Sequence, residues 1–196
     1  MGNPSLDYYN KNGAAFFSGS VDADMRVDRA RLLAHLPRGS SILEGGCGSG
    51  RDALAFKTGG YLVTAIDGSE EMVRLARKHT GLAVQHLRFD QIEWRDAFDG
   101  IWTCASLLHV PRADLPDTMS RLARALRPGG VWYMSFKYGD TERTTEHGRH
   151  FTDMTEPLLS TAIERTSLSL VEMWGSTDVR TSHAGQRWIS AIARKL

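Results

Sequence analysis

The chain has 196 residues, 41% of them hydrophobic and 24% charged, which suffices to bury one core and matches an ordinary globular domain. Twenty-four basic against 23 acidic residues leave a formal net charge of +1, so no global field argues for nucleic acid or an anionic membrane as partner. Only Cys47 and Cys104 occur, without metal-ligand spacing, which excludes a disulfide framework and points to no metal site.

The first ten residues show no basic segment followed by an apolar one, and no run approaches the ~18 apolar residues of a membrane span, so the expected compartment is the cytoplasm. Residues 8–17 and 21–36 read as two helices ahead of a sheet, placed to cover the mouth of a ligand site, with Tyr8 and Tyr9 available to close over it. From residue 40 onward, apolar runs of strand length alternate with helical patterns, which indicates a parallel sheet. The expected strands are 41–44, 62–67, 84–89, 98–105 and 131–137. The helix after the second strand starts at Ser69, a good N-cap, and places Met72, Leu75, Ala76 and His79 on one face. A further helix carries Leu115, Met119, Leu122 and Leu126 at helical spacing and stops at Pro128-Gly129-Gly130.

After the fifth strand, residues 138–150 are polar and too long for a tight connection; they are expected to form a lid, mobile until an anionic acceptor orders it. A helix near 156–165 and two apolar strands, 168–174 and 188–193, would close the sheet as a hairpin. The reading is one domain in three parts: covering helices (1–39), a ligand-binding core (40–137), and a lid and acceptor side (138–196).

The most specific feature is Ile42-Leu43-Glu44-Gly45-Gly46-Cys47-Gly48-Ser49-Gly50-Arg51-Asp52, where an acid ends a strand and glycines follow at alternate positions. Such a loop lets backbone approach a ligand closely and aims free amides of a helix N-terminus at it. Asp67 ends the next strand, 23 residues beyond Glu44, close to the ~20 expected for a carboxylate that reaches ribose hydroxyls. Gly48, Gly50 and Ala53 also satisfy a relaxed dinucleotide fingerprint. Glu44 argues against that reading, because a carboxylate so near would repel a diphosphate and suits a ligand with an amino acid end.

These elements, with Ala65-Ile66-Asp67-Gly68-Ser69-Glu70-Glu71-Met72, Phe98-Asp99-Gly100-Ile101-Trp102 and Leu126-Arg127-Pro128-Gly129-Gly130, resemble the successive motifs of class I methyltransferases over about residues 40–137. Residues 42–53 and Cys104-Ala105-Ser106-Leu107-Leu108-His109-Val110-Pro111 resemble in particular a small bacterial branch that includes tellurite-resistance methyltransferases. The resemblance implies an α/β, Rossmann-like sheet of seven mostly parallel strands, with a C-terminal antiparallel hairpin and covering N-terminal helices. It implies S-adenosylmethionine as cofactor and S-adenosylhomocysteine as product. Gly46, Cys47, Gly48, Ser49 and Gly50 would hold the methionine portion and Asp67 the ribose, while Met72 flanks the adenine and Asp90, beside Phe89, accepts from its amino group. Arg51, Gly68, Ala105 and Ser106 complete the expected cofactor wall. Glu44, in place of the commoner aspartate and followed by an additional glycine, is a departure that bears on the amino-group contact.

The acceptor is expected to be a small molecule, with an anion among the options, and neither nucleic acid nor a membrane is expected as partner. His109 follows the fourth strand at the edge where open parallel sheets bind ligands; it is a candidate base titrating near ~6.5 or, alternatively, a polar wall residue. Tyr138 is a second catalytic candidate; Tyr8, Tyr9, Lys137, Arg149 and His150 are candidates for holding the acceptor. An RNA-modifying enzyme on the same fold and a non-catalytic cofactor-binding adaptor are the competing readings.

Overall fold

The computed structural model describes residues 4–196, so the first three residues of the expected covering unit lie outside the described residues. In chain order the elements are α1 (Pro4–Ser20), α2 (Arg26–Leu33), β1 (Ser41–Gly45), α3 (Arg51–Thr58), β2 (Leu62–Asp67), α4 (Glu70–Thr80), β3 (Gln85–His86) and β4 (Phe98–Thr103). They continue with α5 (Leu115–Ala125), β5 (Leu126–Lys137), β6 (Glu142–Thr144), β7 (His150–Thr152), α6 (Glu156–Glu164), β8 (Leu168–Thr177) and β9 (Arg187–Lys195).

Seven strands form one sheet in the order β3-β2-β1-β4-β5-β9-β8. The first five run parallel. β9 is antiparallel to β5 and β8 antiparallel to β9, which is the expected closing hairpin. β1 lies between β2 and β4, so the order reverses there and opens a crevice at the carboxyl ends of these strands.

Both faces of the sheet are covered, and the central strands accordingly alternate between two apolar layers. Leu43, Ile66, Ile101, Trp132 and Met134 belong to one layer with α5 and α6; Ile42, Trp102, Val131 and Tyr133 belong to the other with Leu32, Leu36 and Phe56. Trp102 and Tyr133 stack with ring centroids 4.0 Å apart, and the Trp132 indole donates to Thr103 Oγ1 at 2.8 Å. Both tryptophans are core, as their place within strands implies.

Several boundaries differ from the sequence reading for local reasons. The first helix runs from Pro4 to Ser20, and a break before Arg26 shortens the second to eight residues. The third strand contracts to Gln85–His86, because Phe89–Gln91 turns as a 3-10 helix with the Arg88 amide bound by Gln91 Oε1 at 3.0 Å. β4 stops at Thr103, and Ala105 takes the left-handed conformation at φ 52° with its amide held by Ser135 Oγ at 2.9 Å. Ser69 caps α4 as expected, accepting from the Met72 amide at 3.2 Å.

The polar stretch after β5 differs most. It folds as a hairpin, β6 against β7, instead of an unstructured lid. Arg143 is ion-paired with Asp153, whose carboxylate also accepts from Thr141 Oγ1 at 3.0 Å. Arg112 donates to the Asp153 and Asp140 carbonyls at 3.0 and 3.3 Å, and the His150 amide donates to Ser5 Oγ of α1 at 2.9 Å. These anchors offset the ordering entropy that polar side chains alone would leave unmet.

Candidate cofactor and acceptor site

A cavity of about 840 Å³ occupies the crevice at the carboxyl ends of β1, β2 and β4. Its floor is the glycine loop, and only bare backbone fits there. A Cβ on Gly46 would lie 2.5 Å from Ser106 Cβ, and one on Gly48 would lie 3.3 Å from the Phe16 ring. The Gly46 and Cys47 amides both donate to the Ile66 carbonyl at 2.9 Å, which fixes the loop to the end of β2.

Asp67 and Gly68 form the next wall, with Met72 behind them on α4. One Asp67 oxygen accepts from the Gly48 amide and the other from the Ser69 amide, each at 2.9 Å. Burial raises its pKa, opposed by those amides. Each carboxylate oxygen retains a second lone pair, so a vicinal diol can still donate to it. Phe89 and Asp90 wall the cavity past β3, and Ala105, Ser106 and His109 wall it past β4. Tyr9 and Phe16 close it from α1, their rings in edge contact at 4.9 Å. Phe16 was not singled out in the sequence; its place one heptad after Tyr9 on the same helix face was the available signal.

Other expected site residues stand outside this wall. Glu44 is buried beneath the loop with Oε2 lacking a partner, and burial followed by the nearby Asp52 charge pushes its pKa well up. Cys47 and Ser49 are buried in the loop, and Gly50 starts α3 with φ at +75°. Arg51 turns away from the cavity, donating to Asp52 at 2.6 Å and to the Ser20 carbonyl at 3.2 Å. Tyr138 lies under the Arg187 guanidinium, 4.0 Å from its ring centroid, and does not face the cavity.

His109 occupies a defined state. Its Nδ1 is 2.7 Å from the His150 carbonyl, which can only accept, so Nδ1 carries the proton and Nε2 accepts the Tyr9 hydroxyl at 2.8 Å. Burial holds the imidazole down to about 4, with Arg149 and Lys137 adding to the effect and the His150 carbonyl opposing it. The sequence expectation of a titration near ~6.5 thus gives way to a ring that stays neutral at physiological pH. Burial also pushes the Tyr9 hydroxyl up to about 12, with the Arg149 charge pulling the other way.

Beyond the Tyr9–His109 pair lies a cationic face formed by Lys137 and Arg149 with Tyr8 beside it, and none of these three expected acceptor residues lines the cavity itself. The Lys137 ammonium sits 4.1 Å from the Phe151 ring centroid, and the Arg149 guanidinium lies between Tyr8 and Phe151, at 4.7 and 5.3 Å. Arg149 Nε is buried without a partner, and burial with Arg143 and Arg149 lowers the Lys137 pKa. Among the described residues neither cation forms an ion pair; the nearby Asp153 holds Arg143 and Thr141 through Oδ2, while its buried Oδ1 has no partner. His150 joins the two regions through its backbone, while its ring meets Glu142 and Thr152 at 3.1 Å.

The strand order, with a glycine loop at the switch point and an acid ending the next strand, is the layout in which open α/β sheets bind a nucleoside-containing ligand at the carboxyl ends of their strands. The residues present are of a kind that would suit S-adenosylmethionine: Asp67 could accept from a diol, bare loop backbone would admit a methionine portion, and a partnerless Glu44 oxygen lies beneath the loop. Residues 42–130 match the family described as Methyltransferase domain. Over 109 residues the chain is 37% identical to malonyl-[acyl-carrier protein] O-methyltransferase of Pectobacterium atrosepticum, covering 54% of this chain and 43% of that protein. Over 119 residues it is 34% identical to ubiquinone biosynthesis O-methyltransferase of Xanthomonas campestris pv. campestris, covering 57% and 48%. The chain thus spans less than half the length of these curated relatives. The crystal structure of Burkholderia thailandensis 1,6-didemethyltoxoflavin-N1-methyltransferase, with bound 1,6-didemethyltoxoflavin and S-adenosylhomocysteine, superposes with TM-score 0.79 at 25% identity, covering 97% of this chain and 84% of that one.

Among the described residues no helix is long and apolar enough to cross a membrane, and no group of three or more His, Cys, Asp and Glu side chains is placed to hold a metal ion.

Asp67→Ala should weaken S-adenosylhomocysteine binding by ~1.5–3 kcal/mol, the worth of a hydrogen bond to a charged group. Calorimetry checks this, and affinity within twofold of wild type would remove the ribose assignment.

Proposed function

We propose that the protein transfers a methyl group from S-adenosylmethionine to a small, anionic acceptor held on the Lys137–Arg149 face. The observation that carries this is a pair of cations without ion-pair partners behind His109, which lines the cavity: the His109 and Phe151 rings are 5.0 Å apart, and Phe151 carries Lys137 and Arg149, the latter with a buried, partnerless Nε. A planar guanidinium presents two parallel donors to a carboxylate, and Phe151 gives it a fixed platform.

When bound, the cofactor supplies an electrophilic methyl on a sulfonium that leaves as a neutral thioether. The chain's own part is to align the acceptor and exclude water. α1 covers the groove through Tyr9 and Phe16, and Asn10 of α1 is tied to Ser69 Oγ at 2.7 Å. Ala105, fixed by Ser135, sets the edge of the wall from which Ser106 and His109 project.

Relatives named for small acceptors or for an acyl group on a carrier protein support the kind of reaction. The resemblance of residues 104–111 to tellurite-resistance methyltransferases supports placing the chain in that small bacterial branch. A net charge of +1 favours a metabolite over RNA, and a cytoplasmic location fits the reading. Incubation with methyl-labelled cofactor and separate metabolite and RNA extracts tests it: label in an anionic metabolite supports the proposal, whereas label in RNA or in none overturns it.

Arg149→Ala should raise the Michaelis constant for the acceptor about tenfold, equivalent to ~1.4 kcal/mol, with cofactor affinity nearly unchanged. Initial-rate kinetics beside calorimetry check this, and unchanged acceptor kinetics would remove Arg149 from the acceptor site.

A further inference from the structure

Methylation of an alcohol, a thiol or an ammonium group needs a partner that takes a proton, whereas a preformed anion needs none. Most of the groups of this site that could take a proton already hold other partners. Both ring nitrogens of His109 are used, Nδ1 as donor to the His150 carbonyl at 2.7 Å and Nε2 as acceptor from Tyr9 at 2.8 Å. The groups acting most strongly on this ring are Lys137 from β5 and Arg149 and His150 from the hairpin, whose charges disfavour an imidazolium, with the Tyr9 hydroxyl of α1 on Nε2. Both Asp67 oxygens hold backbone amides. The Ser106 hydroxyl donates to the Gly45 carbonyl at 2.7 Å. Asp90 is paired with Arg88 on the 3-10 turn against which α5 packs, and Asp114 and Asp117 line the same end of the cavity. The buried thiols of Cys47 and Cys104 are pushed up, the latter to about 12.

Resting on the methyltransferase reading, we propose that the acceptor brings its reacting atom as a conjugated oxyanion, a carboxylate or an enolate, with one edge on Arg149 and Lys137 and the other toward the cofactor. An oxygen lone pair forms the new bond to the methyl carbon, the sulfur–carbon bond breaks, and its electron pair stays on sulfur. No proton moves, and an anion and a cation become two neutral products.

The layout suits that charge change. A cation against the reacting oxygen would stabilise the ground state more than the transition state and slow the step. The two cations instead lie beyond the Tyr9–His109 pair, which is neutral and lines the cavity itself. A conjugated anion satisfies both regions because its charge is shared between two edges, one to be bound and one to react. An alkoxide or a lone amine offers no such second edge.

The experiment identifies the bond formed. The purified protein, given methyl-labelled cofactor and metabolite extract, should place its label in a methyl ester or enol ether, the ester releasing labelled methanol in alkali. Label in an aliphatic ether, an amine or a thioether overturns the proposal and leaves the methyltransferase reading standing. Absence of S-adenosylhomocysteine binding by calorimetry overturns both. A second measurement is independent of turnover: nitrogen NMR of the S-adenosylhomocysteine-loaded protein should show His109 as the neutral Nδ1–H tautomer from about pH 5.5 to 8.5, on either side of the ordinary imidazole pKa. An imidazolium appearing in that window, or a turnover rate that rises through it and loses the rise in His109→Gln, would assign the ring as a base and overturn the proposal.

Discussion

Asp52→Ala should lower the stability of the domain by about 3–5 kcal/mol, the cost of removing one partner from a buried ion network. Asp52 is only 2% exposed and is shared by three donors from three elements: Arg29 of α2, Arg51 of α3 at 2.6 Å, and the Trp102 indole of β4 at 3.0 Å. Truncation leaves two arginines, 15% and 19% exposed, without a counter-charge, and a buried indole N–H without an acceptor. For a domain of this size the midpoint of thermal unfolding should fall by on the order of 10 °C. Asp52→Asn keeps the shape and one acceptor oxygen and should lose less. Burial alone would raise the Asp52 pKa, but Arg51 and Arg29 outweigh it and hold the carboxyl below its usual range. Its stabilisation is therefore full above the unfolded carboxylate value of ~3.9 and is lost as pH falls through the depressed folded value. The alanine variant should show a flatter acid limb in urea unfolding. A stability loss under ~1 kcal/mol would show that the network contributes little beyond an exposed pair.

The network also marks a boundary of what the sequence discloses. Asp52 follows the glycine motif, and nothing in its spacing announces that Arg29 will reach it across 23 residues or Trp102 across 50. The groove at the switch point was legible because its signals are local: glycines at alternate positions and an acid at each strand end are features of short segments whose backbone approaches a ligand. The parallel run of the central strands followed from the alternation of apolar runs with helical stripes, whereas their order in the sheet did not. The third strand was overdrawn because Leu87 and Phe89 continue an alternating pattern, although the chain has already left the sheet after His86 to turn at Arg88. The hairpin was read as a lid because its anchors are remote in sequence: Ser5 for the His150 amide, 145 residues away, and Arg112 for the Asp153 carbonyl, 41 away. His109 shows the same limit at the level of chemistry. Its position after β4 suggested a base, while its protonation state is decided by Tyr9 and His150, 100 and 41 residues distant.

Gly46→Ala should reduce S-adenosylhomocysteine affinity about 100-fold or more, roughly 2.8 kcal/mol, while leaving the fold intact. Two costs act at that position. At φ +69° a side chain adds about 1–2 kcal/mol of backbone strain, since an L-residue crowds its own carbonyl in the left-handed region. The new Cβ would also lie 2.5 Å from Ser106 Cβ, a separation that something must relieve by moving. Ser106 is poorly placed to move, because its hydroxyl holds the Gly45 carbonyl at 2.7 Å and the chain beside it is fixed through Ala105 and Ser135. The loop is therefore the part that shifts, and with it the amides that would meet the methionine portion of the cofactor. Gly48→Ala separates the two costs: φ is +54°, a similar strain, but the nearest atom is 3.3 Å away on the Phe16 ring of α1, which can yield. Affinity in Gly48→Ala should fall about tenfold, with the remainder of the Gly46 effect assigned to the Ser106 contact. Calorimetry on both variants, with circular dichroism to confirm the fold, checks this. Binding by Gly46→Ala within threefold of wild type would mean that the loop is not the cofactor's cradle, whatever its sequence resembles.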